Sequence, residues 1–255
     1  MHDKPVALVT GANKGIGLQI AKDLGAQGFT VLVGSRDLEH GEAAANNVAG
    51  DAQAIQLDVT DQASIAAAAE QITNELGRLD VLVNNAGISH AGGIPGGVEP
   101  ARPVEEIAQS GRLSVVPLDE LRAVFETNVF GVVAVTQAML TLLRKAPAAR
   151  IVNVASRGGS LTLNSDPANP HRSMYGSYSA SKTALNAVTV AFAASLEAEG
   201  IKVNSACPGF TATDLNNFRG TRTVEQAARE PVRLAMIGPD GPTGTFSNED
   251  GAIPW

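Results

Sequence analysis

An α/β fold, with a doubly wound parallel sheet of about seven strands and helices on both faces, follows from three features of the sequence. Short, β-branched and nearly continuous apolar runs alternate strictly with Ala-rich helical windows, the pattern of right-handed βαβ crossovers. A glycine-rich turn sits directly between the first run and the first window. No composition shift or internal repeat divides the 255 residues, so the whole chain, 1–255, is expected to form one domain.

The runs that predict strands lie at 6–9, 30–33, 54–57, 81–83, 151–154 and 202–205. Their lack of polar alternation fits strands covered on both faces. Helical windows lie between and after them at 16–27, 40–49, 62–76, 118–145, 179–199 and 223–236. Two stretches break the rhythm with glycine and proline, 88–117 and 157–174. Loops of such length in a compact domain are commonly functional. Both follow strands that end near the proposed site, which points to a substrate-facing role.

Composition excludes several function classes. With Lys+Arg 19 against Asp+Glu 26 the formal charge is −7, and the pI near 5.1 argues against nucleic-acid binding through bulk positive charge. A single cysteine, Cys207, excludes an intramolecular disulfide framework or a Cys-cluster zinc site and fits a reducing cytoplasm. The four histidines show no paired metal spacing, so no metal is expected. The run after Met1-His2-Asp3-Lys4-Pro5 is too short for a secretory core, and Val129 to Leu143 is interrupted by Gly131, Thr136 and Gln137. No membrane association is expected.

The nucleotide end begins at Thr10-Gly11-Ala12-Asn13-Lys14-Gly15-Ile16-Gly17. Glycines between a strand and a helix allow a tight turn and let backbone N–H groups approach a pyrophosphate at the helix N-terminus. The spacing Gly-x3-Gly-x-Gly differs from the commoner Gly-x-Gly-x2-Gly, and its position carries the inference. At the end of the second strand a carboxylate would select NAD through the ribose 2′-OH. Here stand Gly34-Ser35-Arg36. The forked guanidinium of Arg36 suits a 2′-phosphate, with Lys14 as a second cation; a solvated loop arginine is the alternative. Asp37 is expected to point away or to cap the next helix. Asp58 could accept from an adenine amino group or serve near the helix start at 62, where Thr60 or Asp61 is better placed as the cap. Asn84-Asn85-Ala86-Gly87 suits backbone stitching beside a nucleotide, or a plain turn.

The chemistry end is Tyr178-Ser179-Ala180-Ser181-Lys182, a phenol and an ammonium one helical turn apart. A neighbouring cation favours the phenolate, so Lys182 is expected to lower the Tyr178 pKa and make it a general acid or base. Tyr175, whose fourth neighbour is Ser179, lacks that cation. Ser156 ends a strand at the carboxyl edge of the sheet, where open α/β folds bind ligands. No Gly-x-Ser-x-Gly elbow surrounds it, so a Ser-His-Asp reading fails.

Thr10 to Gly17, Asp58, Asn84 to Gly87, Asn128, Ser156, Tyr178-x3-Lys182 and Pro208-Gly209-Phe210-Thr211 together resemble the short-chain dehydrogenase/reductase family, in the family's order over most of the chain. Within it the chain looks most like NADPH-dependent carbonyl reductases, through Thr-Gly-Ala-Asn-Lys-Gly-Ile-Gly and Gly-Ser-Arg-Asp. The resemblance implies a Rossmann-type domain that passes a hydride between NADP(H) and a small-molecule carbonyl substrate. Tyr178 would protonate the nascent alkoxide and Ser156 hold the same oxygen. Lys182 would tune Tyr178 and bond the nicotinamide ribose, and Asn128 would anchor a proton-relaying water. Cofactor contacts would come from Gly11, Asn13, Lys14, Gly15, Ile16, Gly17, Ser35, Arg36, Asp58, Val59, Asn85, Ala86 and Gly87. Tyr178, Lys182, Pro208, Gly209 and Thr211 complete that set.

Between Asn84 and Asn128, and between Ser156 and Tyr178, the chain is longer than is usual in the family. The second insertion resembles that of monomeric carbonyl reductases, which leaves the oligomeric state open between monomer and homo-oligomer. Segments near 88–98, 157–163 and 210–222 are expected to roof the pocket, with Leu161, Leu163 and Phe210 in its wall. An NAD-dependent alcohol dehydrogenase and a non-catalytic NADPH sensor are the rival readings; sensors commonly lack the tyrosine or lysine kept here.

Overall fold

A computed structural model describes residues 4–90, 106, 109–174 and 176–255. In chain order the elements are β1 (Val6–Val9), α1 (Gly15–Ala26), β2 (Thr30–Ser35), α2 (Leu38–Ala45), β3 (Ala52–Gln56), α3 (Gln62–Glu75) and β4 (Val81–Asn84). Then come α4 (Leu118–Phe125), α5 (Gly131–Leu143), β5 (Arg150–Val154), α6 (Leu161–Ser165), α7 (Ser177–Leu196), β6 (Lys202–Ala206), α8 (Val224–Ala235), β7 (Phe246–Asn248) and β8 (Gly251–Ala252).

These strands form one sheet in the order β3-β2-β1-β4-β5-β6-β7-β8. It is parallel through β7, and the two-residue β8 pairs antiparallel with β7. That short return strand is one more than the seven expected. It closes the sheet edge with a hairpin, which needs no crossover helix and leaves little apolar periodicity to detect. The alternation of side chains along β1 builds two cores. Val6 and Leu8 join Ile65, Ile72, Met139 and Leu196 on the face covered by α3, α5 and α7. Ala7 and Val9 join Ile20, Leu24, Ala44 and Leu234 on the face covered by α1, α2 and α8. Strand order reverses at β1, flanked by β2 and β4, so the carboxyl ends of these strands open a crevice at the switch point.

Three boundaries differ from expectation for local reasons. Helix α2 stops at Ala45 rather than 49, where Asn46 and Asn47 follow and the Asn47 amide donates to the Ala43 carbonyl at 2.6 Å; such side-chain bonds compete with helix continuation. The third strand begins earlier, at Ala52, drawn in by pairing with Val31. The long window 118–145 is interrupted by a π turn at Glu126–Phe130. Helical spacing is nearly the same on either side of such a turn, so periodicity does not reveal it. Within 157–174 the chain is more ordered than a plain loop, with 3₁₀ turns at Arg157–Gly159 and Arg172–Met174 flanking α6.

A buried polar ladder crosses the sheet behind the crevice. The Asn84 amide donates to Asn153 Oδ1 at 2.9 Å, and the Asn153 amide donates to Thr189 Oγ1 at 2.8 Å. The Thr189 and Ser205 hydroxyls lie 2.8 Å apart. Asn84 therefore belongs to the interior of the sheet, while Asn85 faces the glycine loop.

Candidate active site

The glycine loop is shaped by backbone conformations that favour glycine. Gly11 and Gly15 have φ of +61° and +57°. A Cβ on Gly17 would stand 2.4 Å from Asn85 Nδ2 and 2.5 Å from the Gly11 carbonyl oxygen. Asn85 holds the loop from the other side, donating to the carbonyls of Thr10 at 2.9 Å and Gly11 at 3.1 Å. Thr10 Oγ1 accepts the N–H groups of Asn85 and Ala86, each at 3.0 Å. Thr10 is thus the buried clasp of the loop, recognisable in sequence only as the residue before Gly11.

The N-terminus of α1 carries no side-chain cap, although α2 and α3 are capped by Asp37 and Asp61. Its first N–H groups stay available to an external acceptor, as a diphosphate-binding helix requires. The residues present therefore fit a dinucleotide. Asp37 caps α2 by accepting the His40 N–H at 2.9 Å, one of the two roles expected of it. Arg36 is exposed at the end of β2 and forms no ion pair among the described residues. The Ala12 N–H donates to the Gly34 carbonyl at 2.9 Å, stitching the glycine loop to the same edge. Ser35 is buried as the last residue of β2. Asp58 Oδ1 accepts from both the N–H and the hydroxyl of Thr60, and Asp61, not Asp58, caps α3. Val59 is buried against Gly131.

The chemical residues converge from three elements, the end of β5, α7 and the π turn. Ser156 follows β5, its Oγ accepts the Gly158 N–H at 3.1 Å, and its side chain lies beside the Tyr178 phenol. Tyr178 and Lys182 lie on the same side of α7, with Nζ 5.8 Å from the phenol ring centroid. Lys182 Nζ donates to the Val154 carbonyl at 2.8 Å and lies beside Gly87. Asn128, in the π turn, accepts the Ile88 N–H and donates to the Ile88 carbonyl and to Ser181 Oγ. Single π turns recur at functional sites because they redirect one side chain without ending the helix. Gly131 explains its placement, since a Cβ there would lie 2.7 Å from the Val59 carbonyl oxygen.

The electrostatics differ from the sequence expectation. Lys182 does not lower the phenol pKa in this structure: Tyr178 is pushed up to about 12, chiefly by dense packing around its hydroxyl and secondly by the sulfur of Cys207. The Ser156 bond opposes that rise. Burial brings Lys182 down to about 8, with Cys207 acting in the other direction. The ammonium is turned toward the Val154 carbonyl, and desolvation outweighs spacing. Cys207 itself is a site residue that the sequence reading did not place. Its thiol is buried, accepts the Arg157 N–H at 3.1 Å and is pushed up by that burial. Its position immediately before Pro208-Gly209 was the available signal.

The closing segment is only partly as expected. Gly209 has φ +77°, but the Thr211 hydroxyl turns back onto the carbonyls of Pro208 and Gly209, each at 3.3 Å. Thr213 instead meets the glycine loop, its methyl 3.6 Å from where a Gly15 Cβ would be. Asn13, Ile16, Ala86 and Pro208 are partly buried around the same crevice. Leu161 and Phe210 are exposed, whereas Leu163 packs against a small core with Ala155, Cys207 and Phe246. Of the expected roof, residues 91–98 lie outside the described residues, as does Tyr175.

Comparison with known proteins identifies the family and the fold. The short chain dehydrogenase family matches residues 5–223. The chain is 35% identical over 245 residues to "Short-chain dehydrogenase anuI" of Penicillium roqueforti, covering 92% of this chain and 90% of the relative. It is 32% identical to (-)-isopiperitenone reductase of Mentha piperita, with 97% of each covered. The solved structure of salutaridine reductase from Papaver somniferum superposes with a TM-score of 0.77 at 28% identity, over 95% of this chain and 99% of that one. The clasped glycine loop, the uncapped α1 and the Ser156–Tyr178–Lys182 cluster thus sit in a matching frame, and the chain belongs to the short chain dehydrogenase family, as a hydride-transferring oxidoreductase.

Proposed function

We propose that this chain is an NADPH-dependent reductase of small ketones or aldehydes. The observation that carries the reading is the paired phenol and hydroxyl, Tyr178 and Ser156, at the carboxyl edge of the sheet beside a helix N-terminus without a cap. Bound NADPH would supply the hydride to the carbonyl carbon. The protein's part is to orient the carbonyl oxygen and to neutralise the charge that develops on it. Ser156 donates to that oxygen, and Tyr178 transfers its proton to it. A phenol held at about 12 stays protonated at neutral pH, which suits an acid for the reducing direction. Lys182, 5.8 Å from the Tyr178 ring centroid, would hold the nicotinamide ribose, and Asn128, bonded to Ile88 and Ser181, would keep α7 in register for proton supply to the phenol.

Phosphate recognition is assigned to Gly15, Ile16 and Gly17 at the start of α1, with Gly11 and Asn13 shaping the loop. Arg36, Lys14 and Ser35 would meet the 2′-phosphate, Asp58 and Val59 the adenine, and Asn85, Ala86 and Gly87 the adjoining ribose. Pro208, Gly209, Thr211 and, from its place against the glycine loop, Thr213 would close over the nicotinamide. Asp37 is engaged as the α2 cap, which disfavours it as a ribose-binding carboxylate of an NAD enzyme. The relatives named for reducing isopiperitenone and salutaridine support a small-molecule carbonyl substrate here. The buried free thiol of Cys207 suits a cytoplasmic setting.

The test is cofactor kinetics with a panel of cyclic ketones, quinones and diketones. The wild type should prefer NADPH, and Arg36→Asp should lower kcat/KM for NADPH by about 10- to 100-fold, the scale of one charged hydrogen bond, while leaving NADH nearly unchanged. Equal use of both cofactors by the wild type would refute the NADPH assignment. Tight NADPH binding with no turnover on any carbonyl would refute the reductase.

A further inference from the structure

The segment after Gly209 is drawn onto the nucleotide crevice by three contacts. Asp214 forms an ion pair with Lys14 of the glycine loop. Thr213 places its methyl against Gly15. Ser89 donates to the Leu215 carbonyl at 3.2 Å, reaching across from the loop after β4. Within the segment, the Asn216 amide donates to the Thr211 carbonyl at 2.8 Å, and Asn217 and Phe218 both take positive φ. The one charged contact among these three uses the lysine that the NADPH reading assigns to the 2′-phosphate.

We propose that Asp214 is a specificity-determining residue for the cofactor, holding Lys14 until a 2′-phosphate takes the lysine from it. This rests on the NADPH reading above. The side chains of Lys14 and Asp214 are 65% and 47% exposed, so water and an incoming anion reach both. Exposed pairs of this kind are weakly held and readily exchanged. A phosphate dianion is a stronger acceptor for an ammonium than a single carboxylate. Lys14 occupies the N-cap position of α1 in an extended conformation, next to the uncapped N–H groups and on the edge stitched to β2 and Arg36. The competition makes Asp214 a brake on 2′-phosphate affinity and couples phosphate recognition to release of the 213–216 turn. An NAD-type ligand, lacking that phosphate, leaves the pair intact.

The experiment uses 2′,5′-ADP and 5′-ADP as probes, titrated calorimetrically into the full chain, the Asp214→Asn and Lys14→Met variants and the double variant. Asp214→Asn should bind 2′,5′-ADP about 2- to 5-fold more tightly, the scale of one exposed pair, with 5′-ADP affinity unchanged. In the Lys14→Met background the gain should vanish. An equal gain for both probes would show a general charge effect and overturn the proposal, as would a gain that survives without Lys14, or no gain. A wild type that binds both probes equally would instead remove the NADPH reading beneath it. Thermal melts of the four proteins establish that the exposed substitutions leave the fold intact.

Discussion

Asn128 grips both backbone polar groups of Ile88, accepting its N–H at 2.9 Å and donating to its carbonyl at 2.8 Å. A side-chain amide here replaces the pairing that a strand would supply, at the point where the chain leaves β4. The same amide reaches Ser181, one residue before Lys182. The end of β4, the π turn and the start of α7 are therefore tied through one buried side chain. Replacing Asn128 with Ala should cost about 1–3 kcal/mol, because the Ile88 groups lose their partner. Urea unfolding measures this, and an unchanged midpoint would show that Ile88 finds other partners.

Tyr178→Phe removes the proton donor while keeping the ring. Turnover should fall by roughly 10²–10⁴-fold, the scale of general acid catalysis, with binding of the nucleotide nearly unchanged. Single-turnover NADPH oxidation reports it directly. Undiminished turnover would move the acid elsewhere.

Lys182 and Tyr178 make opposite contributions to the pH dependence of stability. Lys182 titrates at about 8 when folded against 10.5 as a free side chain. Between those values the unfolded chain binds more protons, so this contribution grows with pH and is lost as pH falls through 8. Tyr178 titrates at about 12 against 10.0, so its contribution is full below 10 and is lost as pH rises through 12. The stability of the wild type relative to Lys182→Met should therefore increase from about pH 8 to about pH 10. A flat difference would mean that burial does not depress the ammonium.

Gly17→Ala tests the clasp of the nucleotide loop. Its Cβ would stand 2.5 Å from the Gly11 carbonyl oxygen and 2.4 Å from the Asn85 amide. Either Asn85 releases Thr10 and Gly11 or α1 moves, at a cost of about 1–3 kcal/mol. NADPH affinity should drop at least tenfold. Affinity equal to the wild type would show that the loop relaxes without harm.

The strands were legible because their apolar runs lie between two helical layers; Val31, Leu32 and Val33 are all buried. Gly11, Gly15 and Gly17 were legible as a tight strand-to-helix turn because backbone geometry there excludes a side chain. The π turn was not, since Glu126 to Phe130 keeps an apolar spacing compatible with a plain helix. Nor was the direction of the Tyr178 shift. Spacing on a helix reports which groups are near, whereas desolvation depends on β5, Cys207 and the chain around Ser156, all distant in sequence. Nothing in the sequence separates Thr213 from Thr211, because only the folded turn shows which hydroxyl faces back onto its own loop.

The ladder of Asn84, Asn153, Thr189 and Ser205 bears on how this protein can change. Each member answers a partner's hydrogen-bonding need, so substituting one by an aliphatic residue strands its neighbour in a dry interior. Exchanging all four together with Thr136, whose hydroxyl accepts from Asn84 at 3.2 Å, for well-packed aliphatics avoids that penalty. Mutational routes through this part of the interior must therefore cross a valley at the single steps, whatever lies at the far side.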